Sequence, residues 1–216
     1  MTELRIPDAH DRETLGAFVA RAVRLDGQAA VRLRNRDAGP GNPGIVEAWV
    51  ATPFDCLATR AVHGAVTPGD VTVSGNELLA ALTVAAGDVM DPGPPRDLLW
   101  HGELPAGGGW QRVDDLPTRV VSELTDRGIA LARENAGPHG TPPASLMDQV
   151  VLTVSEGDLE VKVHMRCLFA LSGMGFFDSA IPDDVIRVAA TNSWMRLDAR
   201  YGAVVRRRHA LLPLLF

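Results

Sequence analysis

Residues whose side chains could carry chemistry are dispersed along the chain. Cys56 and His63 lie seven positions apart, and a cysteine–histidine nucleophile pair also needs a third group that orients the histidine. The sequence marks no acid for that role, and alternation between the two residues is typical of a strand. Because a free cysteine is commonly a small buried hydrophobe, we predict no catalytic residue.

Metal, cofactor and acid–base sites are not predicted either. The sequence contains neither an H-x-x-x-H nor a C-x-x-C spacing, so we expect no metal ligands. The adjacent carboxylates Asp114-Asp115 and Asp183-Asp184 would point apart on extended backbone, and we interpret them as turn and cap residues. The glycines at 107–109 lack the Lys-Ser/Thr of a phosphate-binding loop and indicate a linker.

Composition limits the class of protein. The 216 residues can form one large domain or two small ones, and the net charge of −6 argues against a uniformly basic nucleic-acid binder. The longest apolar runs fall short of the ~20 residues that span a bilayer. The polar start MTELRIPDAHDRE carries no secretory signal. Two distant cysteines predict a reduced cytoplasmic protein without a disulfide scaffold.

The stretch at 44–82 is predicted to hold three strands and one helix. Residues 46–50 alternate between apolar and polar in the pattern of a half-buried strand, and 56–63 form the hairpin return. Residues 67–70 (TPGD) predict a turn. Asn76 is predicted to cap the helix that follows.

Two long amphipathic helices are predicted at 11–25 and 117–135. Residues 97–104 are predicted to form a strand, and PAGGG at 105–109 is the best linker, which gives domains at 1–105 and 110–216. DVTVSGNELLAAL in the first half aligns with EVKVHMRCLFAL in the second, although chance alignment of two apolar segments remains an alternative. The expected class is α+β, with two similar domains whose helices pack on antiparallel sheet.

Three short segments, VAT with LA at 50–58, VTVSGNELLAAL and the tail ALLPLLF, together resemble bacterial DNA sliding clamps, in the order in which a clamp would place them. VAT, four variable positions and LA at 50–58 resemble the strand turn V-A-T-D-G-x-R-L-A of bacterial DNA sliding clamps. This chain departs from that pattern at Pro53, which replaces the Asp, and at Asp55-Cys56, where polar and basic residues are usual. VTVSGNELLAAL resembles the next strand and helix, and the tail ALLPLLF resembles the closing strand. The resemblance covers most of the first half and scattered parts of the second. Clamp subunits have three domains, whereas this chain offers two.

The resemblance implies a non-catalytic binding or scaffold protein with a protein or peptide partner. In clamps, the partner docks in an apolar pocket between the strand turn and the closing strand. The matching positions are Thr52, Leu57, Ala58, Leu212, Pro213 and Leu214. Clamp helices also carry cations over DNA phosphates, which implies weak, non-specific and salt-dependent DNA binding. The matching arginines are Arg12, Arg21, Arg24, Arg119, Arg127 and Arg133.

Several alternatives stay open at this point. The chain could be an enzyme whose site combines dispersed residues that include Cys56 or His63. The apolar tail could close the second domain's own core, or dock on another copy of the chain to give a homo-oligomer. The arginine run at 206–208 could contact phosphate, but as a charge run at a strand end we interpret it as a solvated face.

Overall fold

The structure is a computed structural model that describes residues 2–36, 44–135 and 143–208. The chain divides into two compact units. The first comprises Met1–Pro53 and Leu57–Glu103, and the second comprises Phe54–Cys56 and Leu104–Phe216. Each unit combines helices with antiparallel strands, so the predicted α+β class is confirmed.

In its described part, the first unit contains two helices and the antiparallel strands of two sheets. Its elements are β1 (Glu3–Arg5), α1 (Ala9–Leu25), β2 (Ala30–Arg36), β3 (Ile45–Thr52), β4 (Cys56–His63), β5 (Ala65–Thr67), β6 (Asp70–Ser74), α2 (Gly75–Val84), β7 (Val89–Met90) and a 3₁₀ turn (Asp97–Leu99). Strand β1 lies between β5 and β7, and a larger sheet has the order β6-β2-β3-β4. Helix α1 packs against α2 and β3.

Helix α1 shows why this sequence folds as predicted. The Asp8 carboxylate caps it by accepting from the Asp11 N–H at 3.0 Å. Its apolar residues recur at helical spacing, so they form one buried stripe. That stripe contains Leu15, Phe18, Val19 and Ala22.

The second unit contains one four-stranded sheet, one hairpin and three helices in its described part. Its elements are β8 (Gln111–Pro117), α3 (Thr118–Glu134), α4 (Ala144–Met147), β9 (Val150–Glu156), β10 (Leu159–His164), α5 (Met165–Gly173), β11 (Val185–Ala190), β12 (Trp194–Ala199) and β13 (Gly202–Arg207). The sheet order is β13-β12-β11-β8, and β9 pairs with β10. Helices α3 and α5 pack closely, because Gly128 leaves room for the side chains of Met165 and Phe169.

Three local predictions were wrong. Residues 97–104 do not form a strand. Asp97–Leu99 form a 3₁₀ turn, and the Asp97 carboxylate accepts from the Thr72 N–H at 2.7 Å. Asp114 and Asp115 lie within strand β8 and not in a turn, since both pair with β11. Asn76 does not cap α2. Helix α2 begins at Gly75, and the Asn76 amide instead donates to the Gly27 carbonyl at 2.9 Å.

Candidate functional site

The segment predicted to line a partner groove contains the turn between β3 and β4. Thr52 ends β3 and is 8% exposed, Ala58 in β4 is fully buried, and Leu57 is half-buried. Of these three side chains, Leu57 therefore offers the most surface to a partner. Leu212, Pro213 and Leu214 lie outside the described residues.

The turn residues 54–56 belong to the second unit, where Asp55 makes two ion pairs. Its carboxylate accepts from Arg166 at 3.2 Å and from Arg206 at 3.3 Å. Arg166 also donates to the Phe54 carbonyl at 3.4 Å and bonds the Asp148 carboxylate. Asp55 has a positive φ of 55°, a backbone conformation that these charge-assisted bonds help to hold. The turn is therefore fixed by side chains far away in the sequence.

The two arginines that bond Asp55 are much less exposed than Asp55 itself. The side chains of Arg166 and Arg206 are 12% and 19% exposed, whereas Asp55 is 74% exposed. The solvated-face interpretation of the arginine run was therefore wrong for Arg206.

Burial, followed by the positive charges of Arg206 and Arg166, lowers the pKa of His164. This histidine therefore favours its neutral form beside two guanidinium groups.

The Cys56–His63 nucleophile pair is not formed. His63 Nδ1 lies 2.9 Å from the Asp11 carboxylate in the first unit. Cys56 belongs to the second unit, where its Sγ atom contacts Cys167. The seven-residue separation on one strand also places the two side chains on opposite faces. Within the described ranges, no group of three His, Cys, Asp or Glu residues could hold a metal ion.

The three arginines of α1 do not share one face. Arg12 donates to the carbonyls of Ile6 and Pro7 at 2.8 and 3.0 Å, at the start of the helix. Nine residues separate Arg12 from Arg21, which is about 180° around a helix of 3.6 residues per turn. Arg21 and Arg24 are exposed and adjacent in projection, so only these two could contact one phosphate surface.

Helix α3 presents its three arginines on its exposed side. Arg119, Arg127 and Arg133 project away from the buried stripe of Thr118, Val121, Thr125 and Gly128. The same side carries exposed acidic residues, and Arg119 lies 3.6 Å from one of them. These acidic residues are Glu123, Asp126 and Glu134. The face is therefore close to neutral, which weakens attraction to phosphate.

Sequence reasoning missed Arg166 and Arg206 because their partner, Asp55, is 111 and 151 positions away. It also missed the Cys56–Cys167 contact for the same reason. The available signal was the departure from the clamp pattern at Asp55-Cys56, which required new partners for both side chains.

No helix among the described residues is long and apolar enough to cross a membrane.

Solved structures with a similar fold are bacterial sliding clamps. A protein assigned as a DNA polymerase III beta subunit from Eubacterium rectale matches 100% of this chain and 66% of its own, with 11% identity and a TM-score of 0.59. The DNA polymerase III beta chain of Streptococcus pneumoniae matches 99% and 66%, with 8% identity and a TM-score of 0.57. The DNA polymerase sliding clamp of Pseudomonas aeruginosa matches 99% and 66%, with 11% identity and a TM-score of 0.55.

These matches confirm the predicted resemblance, and the chain has a divergent sliding-clamp fold. It spans 66% of the length of those clamp subunits. Residues 1–102 match a family model described as a domain of unknown function (DUF8010), and residues 105–211 match another (DUF8185). A comparison with curated protein sequences gave no match.

Proposed function

We propose that this chain is a non-catalytic, clamp-like scaffold that recruits an extended peptide or protein partner, with weak DNA contact as a second property. The observation that carries the proposal is the sliding-clamp fold, which extends over almost the whole chain. Two of the clamps with this fold are described as the beta subunit or beta chain of DNA polymerase III.

The proposed partner site is an apolar groove that joins the segment from Thr52 to Ala58 with Leu212, Pro213 and Leu214. Two features support it. The turn between β3 and β4 is held by the bonds of Arg166 and Arg206 to Asp55, so a peptide would meet an ordered surface. Leu57 is half-buried, and its remaining exposed surface would be covered by an apolar side chain of the partner.

Replacing Leu57 with Asp is expected to abolish partner capture, because a carboxylate in the groove would be desolvated without a counter-charge. The measurement is affinity capture from a lysate of the source cells, followed by mass spectrometry. Leu98→Asp is the matched control, since Leu98 is 92% exposed in the 3₁₀ turn. Partners retained by Leu57→Asp at wild-type levels would contradict the groove.

Deleting residues 211–216 tests whether the tail lines a partner groove, closes the core of the second unit or contacts another copy of the chain. The proposal predicts a folded protein that has lost its partners. Loss of folding, measured by circular dichroism, would instead assign the tail to the core of the second unit. A change from dimer to monomer in analytical ultracentrifugation would assign the tail to a contact between copies. Unchanged folding with unchanged partners would rule the groove out.

The DNA-contact proposal rests on Arg21 and Arg24 in α1 and on Arg119, Arg127 and Arg133 in α3. Arg12 contributes less, because its guanidinium is engaged by two backbone carbonyls. The acidic residues on α3 limit the positive potential, so binding should be weak and independent of base sequence. The two helices lie in different units, and each supplies its own arginines.

Charge reversal in α1 tests DNA contact. Wild-type protein should bind two unrelated duplexes equally at low salt, with an affinity that falls steeply as salt increases. Arg21→Glu with Arg24→Glu should weaken binding by at least about tenfold and reduce the salt slope by about one for each lost phosphate contact. Arg34→Glu with Arg36→Glu, on β2, is the control of equal charge change. Fluorescence anisotropy that detects no binding at low salt would remove DNA from the proposal.

A further inference from the structure

The two cysteines of the chain meet inside the second unit, although 111 positions separate them. The thiol of Cys56 donates to the sulfur of Cys167 across 3.8 Å. Both residues are reduced and buried, with exposures of 4% and 0%. Sulfur atoms in a disulfide are about 2.05 Å apart, so the thiols need to approach by roughly 2 Å to become bonded.

The two thiols have different environments. Cys167 is the third residue of α5, where helix N–H groups favour a negative charge. The pKa of Cys167 is lowered, chiefly by the hydrogen bond from Cys56, although burial opposes the shift. The positive charges of Arg206 and Arg166 and a backbone hydrogen bond at His164 lower this pKa further. Burial raises the pKa of Cys56 well above its ordinary value. Loss of a proton is therefore favoured at Cys167 over Cys56, and the Cys56 thiol is placed to donate to the Cys167 sulfur.

We propose that Cys56 and Cys167 form a modification site that a hydroperoxide converts into an intrachain disulfide. The Cys167 thiolate attacks one peroxide oxygen, the O–O bond breaks, and the sulfur becomes a sulfenic acid. The other oxygen leaves as hydroxide and takes up the proton that the Cys167 thiol released, which gives the first water. The Cys56 thiol then attacks the sulfenic sulfur, the S–O bond breaks, and water leaves. Two thiols and one hydrogen peroxide give one disulfide and two waters, so both sulfurs are oxidised and both peroxide oxygens are reduced.

Access to the site depends on the turn that contains Asp55. Since both sulfurs are buried, a peroxide can reach Cys167 only after a local opening, and we expect the turn at 54–56, which Arg166 bonds to α5, to be the segment that moves. The ion pairs of Asp55 with Arg166 and Arg206 oppose that movement. The native chain should therefore react slowly, and loosening this turn should speed the reaction. This site is independent of the proposed scaffold function.

The test treats the full-length chain with hydrogen peroxide, removes the peroxide with catalase, and alkylates the remaining thiols in denaturant. The expected result is the loss of both alkylatable thiols in each monomer. After trypsin digestion, mass spectrometry should find the peptide that ends at Arg60 joined to the peptide that begins at Cys167. These measurements use wild-type protein, so they do not depend on the folding of a variant.

Variants assign the role of each sulfur. Cys56→Ser, which keeps a hydrogen-bond donor beside Cys167, should stop at a sulfenic acid on Cys167, which dimedone traps. In Cys167→Ala, the remaining Cys56 thiol should be oxidised at least about tenfold more slowly than the thiols of the wild type. Asp55→Asn should accelerate disulfide formation, and an unchanged rate would overturn the role of the turn. Two outcomes would overturn the disulfide itself. One is that both thiols survive a peroxide dose that oxidises the unfolded chain, and the other is cross-linking only between separate chains.

Discussion

Gly64→Ala is expected to lower the free energy of unfolding by about 2–3 kcal/mol, because the new methyl group meets fixed backbone. Gly64 lies between β4 and β5, where its N–H donates to the Gly44 carbonyl at 2.8 Å. A Cβ atom there would collide with the Arg5 carbonyl oxygen and would also lie 3.3 Å from Ile6 Cγ1. The carbonyl belongs to β1, which is paired with both β5 and β7 and cannot withdraw without breaking those ladders.

Urea denaturation followed by circular dichroism measures this effect, with Gly16→Ala as the control. Gly16 lies in α1, and a Cβ atom there meets nothing within 4 Å. That control should be neutral or more stable by up to about 1 kcal/mol, since Ala favours the helix. Equal stability of Gly64→Ala and wild type would contradict this close approach of the Arg5 carbonyl to Gly64.

Arg166→Met is expected to destabilise the protein by about 1–3 kcal/mol and to raise the pKa of His164. Methionine keeps most of the side-chain volume but removes the bonds to Phe54, Asp55 and Asp148. The two carboxylates are mostly exposed and can be solvated by water, which limits the loss. Without the positive charge of Arg166, protonation of His164 is easier, so the pKa of this histidine rises.

Proton NMR titration of the imidazole measures the histidine pKa, and urea denaturation measures stability. Because the folded-state pKa of His164 is depressed, wild-type stability should fall as the pH falls below the ordinary histidine value of about 6.5. That fall should be smaller in Arg166→Met. Arg119→Met is the control, since its ion pair with Glu123 is exposed, and it should change stability by less than about 0.5 kcal/mol. An unchanged His164 pKa in Arg166→Met would contradict the electrostatic account.

Local patterns were sufficient for most elements. Helical spacing predicted α1 and α3, since each helix buries a stripe that recurs every three or four residues. Strands β3 and β4 followed from alternation around a turn. The failures occurred where a segment lacks its own pattern. Strand β8 carries charged residues and depends on its pairing with β11, which is 68–79 positions farther along the chain.

The candidate site was less predictable than the fold. A resemblance in three short segments indicated the clamp fold, because a Val-rich strand that feeds an apolar helix is encoded within about a dozen residues. The bonds of Asp55 to Arg166 and Arg206 join residues that only the complete fold brings together. Neither charge nor spacing in the linear sequence distinguishes these two arginines from the exposed ones.

The outer edge of β6 is closed by its own chain. The Thr72 carbonyl accepts from the Arg96 N–H at 2.7 Å, and the Thr72 N–H donates to the Asp97 carboxylate at 2.7 Å. An unpaired edge strand invites another strand to add by main-chain hydrogen bonding, which leads to misassembly and aggregation. Here an incoming strand would have to displace Arg96 and Asp97 first. The segment at 96–97 therefore opposes the addition of a strand from another copy of this protein at Thr72.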